Sequence, residues 1–459
     1  MASFVPQAGK KIAVIGAGWA GCSAATILAE QGHQVTLIEA ARTLGGRARR
    51  VDIHGHALDN GQHILLGAYS ATLKLLKKLS IDTGAALLSL PLQMCYPEGR
   101  GMHFVAPKLP APWHLLLALL KAKGLSREDK MSLARFSTTA RWMGWQLHQD
   151  CSVTELLQRF DQTEKLCRLM WVPLCIAALN TPPERASAQI FLNVLRDSLG
   201  ARRAASDMLI PRVDLSSLVP EAAARFIQQR HGKVISGVSV KALKSGANNS
   251  WELECSSPDT ALTGAWDAVI IATAPDHAMR LLPNTIAGAL PGIDNNSSFS
   301  HEPITTCYLQ YDRACRLPRA FFALEDQPAL QHWGQFVFDR GQLHADQQGL
   351  MAVVVSASGA AIELSHDQLA NAIALQLADN FNNPGFAKPL WHQVISEKRA
   401  TYSCTPGLKR PPNQTGITNL LIAGDYTEGD YPATLEAAVR SGNKAAQELI
   451  AQWHTRQQK

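Results

Sequence analysis

The chain has 459 residues, 46% of them hydrophobic and 18% charged, with a formal net charge of +6. That length covers two or three globular domains, and that composition excludes a disordered or fibrous chain. The small positive balance comes without a run of about five basic residues, so nucleic acid is not an expected partner.

The opening stretch MASFVPQAGKK has no apolar segment ahead of a cleavage site, and no run approaches the ~18 apolar residues of a bilayer span. Nine cysteines include no C-x-x-C pair, which argues against zinc ribbons and suits reduced thiols. The expectation is a cytoplasmic protein, either soluble or peripheral on the inner membrane face.

KKIAVIGAGWAGCSAATILAEQGHQVTLIEA reads as a βαβ unit. Ile12, Val14 and Ile15 make a short buried strand. Gly16, Ala17, Gly18, Trp19, Ala20 and Gly21 form G-x-G-x-x-G at the turn into a helix, which Gly32 ends. Val35, Leu37 and Ile38 make a second strand that stops at Glu39. Gly16 permits a tight turn, Gly18 lets a pyrophosphate approach the backbone, and Gly21 lets helix and strand pack closely. The helix N-terminus supplies free N–H groups for phosphates. Glu39 can accept hydrogen bonds from ribose hydroxyls. ARTLGGRARR follows at once. Gly45 and Gly46 allow another close approach and Arg47 can pair with phosphate, which points to FAD rather than NAD.

LDNGQHILLGAY, residues 58–69, sets Asp59, Asn60, Gly61, Gln62 and His63 just ahead of Ile64, Leu65 and Leu66. This is a polar loop anchored in an apolar run. His54 and His56 lie in an ordinary strand pattern, so no metal site is expected here. Residues 91–204 carry apolar side chains at helical spacing in PWHLLLALLKAKGLS, REDKMSLARFSTTARWMGWQL, VTELLQRF and SAQIFLNVLRDSLG. In the first of these, Trp113, Leu116, Leu117 and Leu120 give one apolar face, with Lys121 and Lys123 beside it. That pattern fits an interfacial helix on lipid and equally a buried helix. HGKVISGVSVKAL reads as one strand through Val234, Ile235, Val238 and Val240, and WDAVIIATAPDHA as another ending at Thr273. Residues 276–394 mix strands (TCYLQY, QFVFD, LMAVVVSAS) with a helix (DQLANAIALQLADNF). A second G-x-G-x-x-G is absent, so electrons would come from an external donor or from substrate rather than from a second nucleotide domain.

NLLIAGDYTEGDYPATLEAAVRSGNKAA begins with a buried strand, Leu420 to Ile422. Gly424 and Asp425 after it suit a pyrophosphate and a ribityl hydroxyl. Pro432 then opens a helix with Ala433 and Thr434 in its first turn, its positive end toward the flavin N1–O2 edge.

The two end motifs, G-x-G-x-x-G…E…GGR and AGD…P-A-T-x-E-x-A-x-x-S-G, resemble those of the flavin amine oxidase and phytoene desaturase superfamily. LDNGQHILLGAY, WVPLCIAALNTPPERAS (residues 171–187) and LIPRVDLSSLVPEAA (residues 209–223) resemble the hydroxysqualene dehydroxylases of bacterial hopanoid synthesis within it. Ala437, where relatives often have Gly, and Arg50, where many have Ser, depart from the pattern. The resemblance implies an α/β fold. A Rossmann-like FAD-binding domain is assembled from residues 1–90, 205–275 and 395–459, and an α+β substrate domain from 91–204 and 276–394. It implies FAD as cofactor, an apolar triterpenoid substrate, an external electron donor and neighbouring squalene-pathway enzymes. The implied reaction is reductive loss of an allylic hydroxyl. The departing hydroxide must be protonated, and the cation must take hydride where water is excluded. The resemblance runs Gly61 along the flavin, turns Gln62 or His63 to N5 or the substrate, and sets the Val238 backbone near the adenine. Acid candidates are His63, Asp430 and Tyr431; His63 reads equally as a hydrogen-bonding residue alone. A carotenoid-type desaturase and, behind it, an amine oxidase are the alternatives.

Overall fold

The strand Lys11–Ile15 is the centre of a parallel sheet in the computed structural model, which describes residues 9–256, 262–283, 290 and 299–457. Residues 1–8, part of the opening stretch that carries no apolar segment, lie outside it. Gln34–Glu39 pairs with the central strand on one side and Ala268–Ile271 on the other. Lys233–Ser236 and Leu420–Ile422 form the two edges. These strands are almost wholly apolar because both faces are covered. Ile12, Val14, Leu37, Ile270 and Leu421 pack against the helices Trp19–Glu30 and Leu435–Gln457. Ala13, Ile15, Ile38, Val269, Ile271 and Ile422 face the other way, toward a second apolar cluster that includes Trp251 and Trp266. Parallel pairing brings all five carboxyl ends to one edge, so Gly16, Glu39, Gly237, Ala272 and Gly424 lie there at or just past their strands.

HGKVISGVSVKAL is not one strand. Gly237 turns the chain at φ +78°, a conformation only glycine adopts freely. Lys233–Ser236 stays in the parallel sheet, whereas Val240–Ser245 leaves it to pair with Trp251–Cys255. The strand in WDAVIIATAPDHA ends at Ile271 rather than Thr273, because Pro275 opens the helix Pro275–Leu281 and the chain turns before it.

A five-stranded antiparallel sheet forms from Phe321–Ala323, Phe336–Asp339, Leu350–Ser356, His301–Gln310 and Trp391–Tyr402, in that spatial order. Leu369, Ile373 and Leu377 of the helix His366–Asn380 pack on it. Residues 395–402 thus run in this sheet. Their strand is hidden in the sequence by the exposed charges Lys398 and Arg399 and by a register shift in its own pairing between Glu397 and Thr401.

The helices Trp113–Lys121, Arg127–Trp142, Val153–Arg159 and Ala188–Leu199 form where the periodicity places them. A short hairpin, Gln93–Cys95 with His103–Val105, has no such signal. A π-helical turn, Cys167–Trp171, precedes the helix Val172–Leu179. Pro173 cannot donate to the Leu169 carbonyl, and the Tyr96 hydroxyl donates to it instead at 3.0 Å. Asn180 ends that helix in the left-handed region, φ 47°. Its amide nitrogen donates to the Glu302 carbonyl (3.2 Å) and the Thr401 hydroxyl (2.9 Å), and its oxygen accepts from the Ala357 N–H (2.7 Å). One buried asparagine therefore fastens WVPLCIAALNTPPERAS to the antiparallel sheet.

Candidate active site

The glycine turn is built as dinucleotide binding requires. Gly16 sits at φ +102°, and a Cβ on Gly21 would run into the Gly16 carbonyl oxygen. A Cβ on Gly18 would meet nothing within 4 Å, so open space lies in front of that backbone. The helix begins at Trp19, directly after it, and its first-turn N–H groups have no helical acceptors. Glu39 does more than end its strand. One carboxylate oxygen accepts from the Ala17 N–H at 2.7 Å and the other from the Ala41 N–H at 2.9 Å. It braces the glycine turn from below, and each oxygen keeps lone-pair capacity for ribose hydroxyls. Val238 donates its N–H to the Glu39 carbonyl (3.1 Å), so its backbone lies beside the same strand end.

Gly45 and Gly46 pack on that turn. The Gly45 N–H donates to the Ala17 carbonyl at 2.9 Å, and a Cβ on Gly46 would come within 3.3 Å of the Gly18 Cα. Arg47 reaches the far end of the chain. It pairs with Asp425 at 2.6 Å and donates to the Ala400 carbonyl at 2.6 Å. It thus ties the N-terminal GGR to the C-terminal AGD, with three N–H groups left for a phosphate. Arg50, the departure from Ser, pairs with Glu221 at 3.2 Å.

The C-terminal helix starts later than the sequence suggests. It runs Leu435–Gln457, and Pro432, Ala433 and Thr434 precede it. The Thr434 hydroxyl accepts from the Ala437 N–H at 3.2 Å, an N-cap for which threonine is better suited than for a first turn. Gly424 lies under the Tyr426 ring, which a Cβ would strike. The Tyr426 hydroxyl is buried without a partner.

The loop Asp59 to His63 is held from three directions. Asp59 is buried, accepts from the Leu215 N–H at 2.8 Å, and offers its own carbonyl to the Tyr308 hydroxyl at 2.8 Å. Burial pushes its carboxyl up to about 7, against the pull of the Leu215 N–H and Arg340. Asn60 bonds back to Arg49 beside the GGR turn. Gly61 sees only the His63 ring and the Thr306 hydroxyl near its missing Cβ. The Gln62 side-chain oxygen accepts from Arg340 at 2.8 Å. Arg340, only 1% exposed, also donates to Gln347 (2.9 Å). Its remaining terminal nitrogen is buried and unpartnered. Neither Arg340 nor Thr306 and Tyr308 on the strand His301–Gln310 has a local signal in the sequence.

The three acid candidates separate. His63 donates Nδ1–H to the Gly61 carbonyl at 2.6 Å, and burial, aided by Arg47, lowers its pKa. The ring is neutral at neutral pH, with Nε2 an acceptor, which suits a loop-holding role better than an acid. The Tyr431 hydroxyl donates to Asp197 at 2.7 Å, and Arg440 lies 4.3 Å from its ring centre. Asp430 is exposed, and its carbonyl accepts from Asn193 at 3.1 Å. An acid that works where water is excluded is not found at such a position. His54 turns a hairpin between Arg50–Ile53 and His56–Asp59 at φ 48° and lies 4.5 Å from the Trp391 ring.

The sequence profile of flavin containing amine oxidoreductases matches residues 19–450. The chain belongs to that family. This flavoprotein is an FAD-dependent oxidoreductase of α/β fold. It is 28% identical to the hydroxysqualene dehydroxylase of Rhodopseudomonas palustris, over 96% of this chain and 99% of the relative. It is 24% identical to the 15-cis-phytoene desaturase of Glycine max, over 96% of this chain and 79% of the relative. Its fold matches putrescine oxidase bound to putrescine with a TM-score of 0.66 at 17% identity, over 96% of this chain and 99% of that one. The residues present fit FAD: a glycine turn with open space before it, a helix N-terminus, a strand-ending glutamate, and a second glycine and carboxylate delivered by the C-terminal strand.

The neutral His63 carries a prediction. Its folded pKa lies below 6.5, so the unfolded chain binds more protons in that window and His63 costs stability as pH falls through it. His63→Ala is expected to shift the flavin spectrum and lower turnover less than ~10-fold between about pH 6 and 9. A true acid would cost ~10²–10⁴-fold, and turnover of the variant across that range decides.

Proposed function

We propose that the flavoprotein converts hydroxysqualene to squalene and water in hopanoid synthesis. The observation that carries this reading is the near end-to-end similarity to a hydroxysqualene dehydroxylase. The three stretches that prompted the resemblance also converge. LIPRVDLSSLVPEAA holds Asp59 of LDNGQHILLGAY, and WVPLCIAALNTPPERAS is pinned by Asn180 to the strand that carries Thr306 and Tyr308.

In the net reaction a C–O bond breaks, a proton joins the departing hydroxyl, and a hydride closes on the carbon. Bound FAD in its reduced form supplies that hydride and a proton. The chain supplies position, dryness and proton storage. Arg340 and Thr306 set the Gln62 side chain and backbone, and the Gly61 carbonyl orients His63. Asp59 is a carboxyl at the start of that loop whose pKa burial raises to about 7, so it can exchange a proton near neutral pH. An apolar cluster links Ile15 and Ile38 of the nucleotide sheet to Phe321, Phe336 and Phe338 of the antiparallel sheet. Apolar surroundings of this kind would exclude the water that captures an allylic cation. Aromatic faces contribute about 1–2 kcal/mol each to a desolvated cation.

Desaturation of a carotenoid-type polyene is the second reading, favoured by the phytoene desaturase similarity. Products separate the two. Purified protein with FAD and a reductant, without oxygen, is expected to give squalene from hydroxysqualene and no conjugated polyene from phytoene. Polyene from phoytene with oxidised FAD, and no squalene, would reverse the order.

A further inference from the structure

Six of the nine large apolar side chains exposed among the described residues fall between positions 109 and 142: Leu109, Trp113, Leu116, Leu120, Met131 and Trp142. They are ordered. The helix Trp113–Lys121 turns His114 and Ala118 inward and shows Trp113, Leu116 and Leu120 to solvent, at spacings of three and four. Trp113 is 61% exposed and Leu120 62%. This is an amphipathic helix mounted with its greasy stripe outward, the reverse of a core helix. On the next helix, Arg127–Trp142, Met131, Arg135, Thr138 and Trp142 share an exposed face, and Trp142 is 87% exposed. Lys130 donates to the Leu120 carbonyl at 2.9 Å and holds the second helix to the end of the first.

Charge is concentrated in the same place. Residues 108–142 hold seven Lys or Arg and two Asp or Glu, a net of +5 in a chain whose total is +6. One of the two acids is spent internally. Asp129 is buried, caps its helix through the Ser126 N–H and accepts from Thr163 at 2.6 Å. Lys108, Lys121, Lys123, Arg127, Arg135 and Arg141 are exposed around the apolar stripe.

We propose that this face docks on an anionic lipid bilayer. Tryptophan and leucine enter the headgroup boundary, and the lysines and arginines meet lipid phosphates. No helix among the described residues is long and apolar enough to cross a membrane, so the contact is interfacial. A second copy of the chain would set +5 against +5. Nucleic acid would leave Trp113, Leu116 and Leu120 in water. The docking holds whatever the substrate of the flavin is, so its failure leaves the proposed reaction untouched.

The test is sedimentation of FAD-loaded protein with vesicles of phosphatidylcholine, with and without phosphatidylglycerol. Binding is expected only with phosphatidylglycerol and is expected to weaken with salt. Trp113→Ser, Leu116→Ser and Leu120→Ser together are expected to weaken it roughly tenfold or more, with FAD content and melting temperature kept because these side chains are already exposed. Leu330→Ser with Leu375→Ser, exposed elsewhere, is the control and is expected to bind as wild type. If the triple variant loses FAD, Lys121→Glu with Lys123→Glu replaces it, with the same loss expected. Equal binding to both vesicle types, or a folded triple variant that sediments like wild type, overturns the proposal. So does a wild-type dimer that the triple variant dissociates.

Discussion

Arg340→Met is expected to destabilise the protein by about 2–4 kcal/mol, the cost of leaving two amide oxygens of its network without their donor. The guanidinium is 1% exposed and binds both Gln62 and Gln347. Methionine fills much of the volume but leaves both side-chain oxygens without a donor. The variant also changes a titration. Asp59 sits at about 7 instead of 3.8, so its burial costs stability as pH rises from about 4 to 7, where the unfolded state has already lost the proton. Arg340 opposes that shift. Without it the Asp59 pKa rises further, and the pH at which this loss is complete moves up. Denaturant unfolding of both proteins at several pH values reads both effects. A small loss that is the same at every pH would mean that Arg340 is not coupled to the Asp59–His63 loop.

Glu39→Ala is expected to weaken FAD binding by about 2–4 kcal/mol, or roughly 30- to 1000-fold. That exceeds the effect of lost ribose bonds alone, because the carboxylate also holds the Ala17 and Ala41 N–H groups. Glu39→Gln keeps acceptor and side-chain length and is expected to lose less. Titration of apoprotein with FAD gives both affinities. Equal affinity of Glu39→Ala and wild type would contradict the assignment of this strand end to the ribose.

The nucleotide-binding half is legible because its chemistry is local. Gly16 and Gly21 are forced by one turn, Gly18 leaves the space before it open, and Glu39 ends one strand. Errors there concern caps and turns: Thr434 serves better as a cap than as a first-turn residue, and Gly237 splits what reads as one strand. The floor of the site is illegible for the opposite reason. Arg340 meets Gln62 across 278 residues and Leu215 meets Asp59 across 156. Nothing in QFVFDRGQL marks its arginine as buried, since that depends on which sheet covers it. The strand Trp391–Tyr402 is hidden similarly, its pairing fixed by the distant strand His301–Gln310 and its pattern broken by charges. His63 shows the limit of residue type as a guide. The sequence offers an imidazole, and only the 2.6 Å bond to Gly61 and its burial show which nitrogen carries the proton.

A single turnover tests the central claim most directly. Protein with its FAD fully reduced, freed of excess reductant and oxygen, is mixed with hydroxysqualene. The account predicts that the yellow absorbance of oxidised flavin returns as squalene appears, one squalene for each flavin oxidised. Squalene formed without flavin oxidation, or flavin that stays reduced while hydroxysqualene persists, would contradict it.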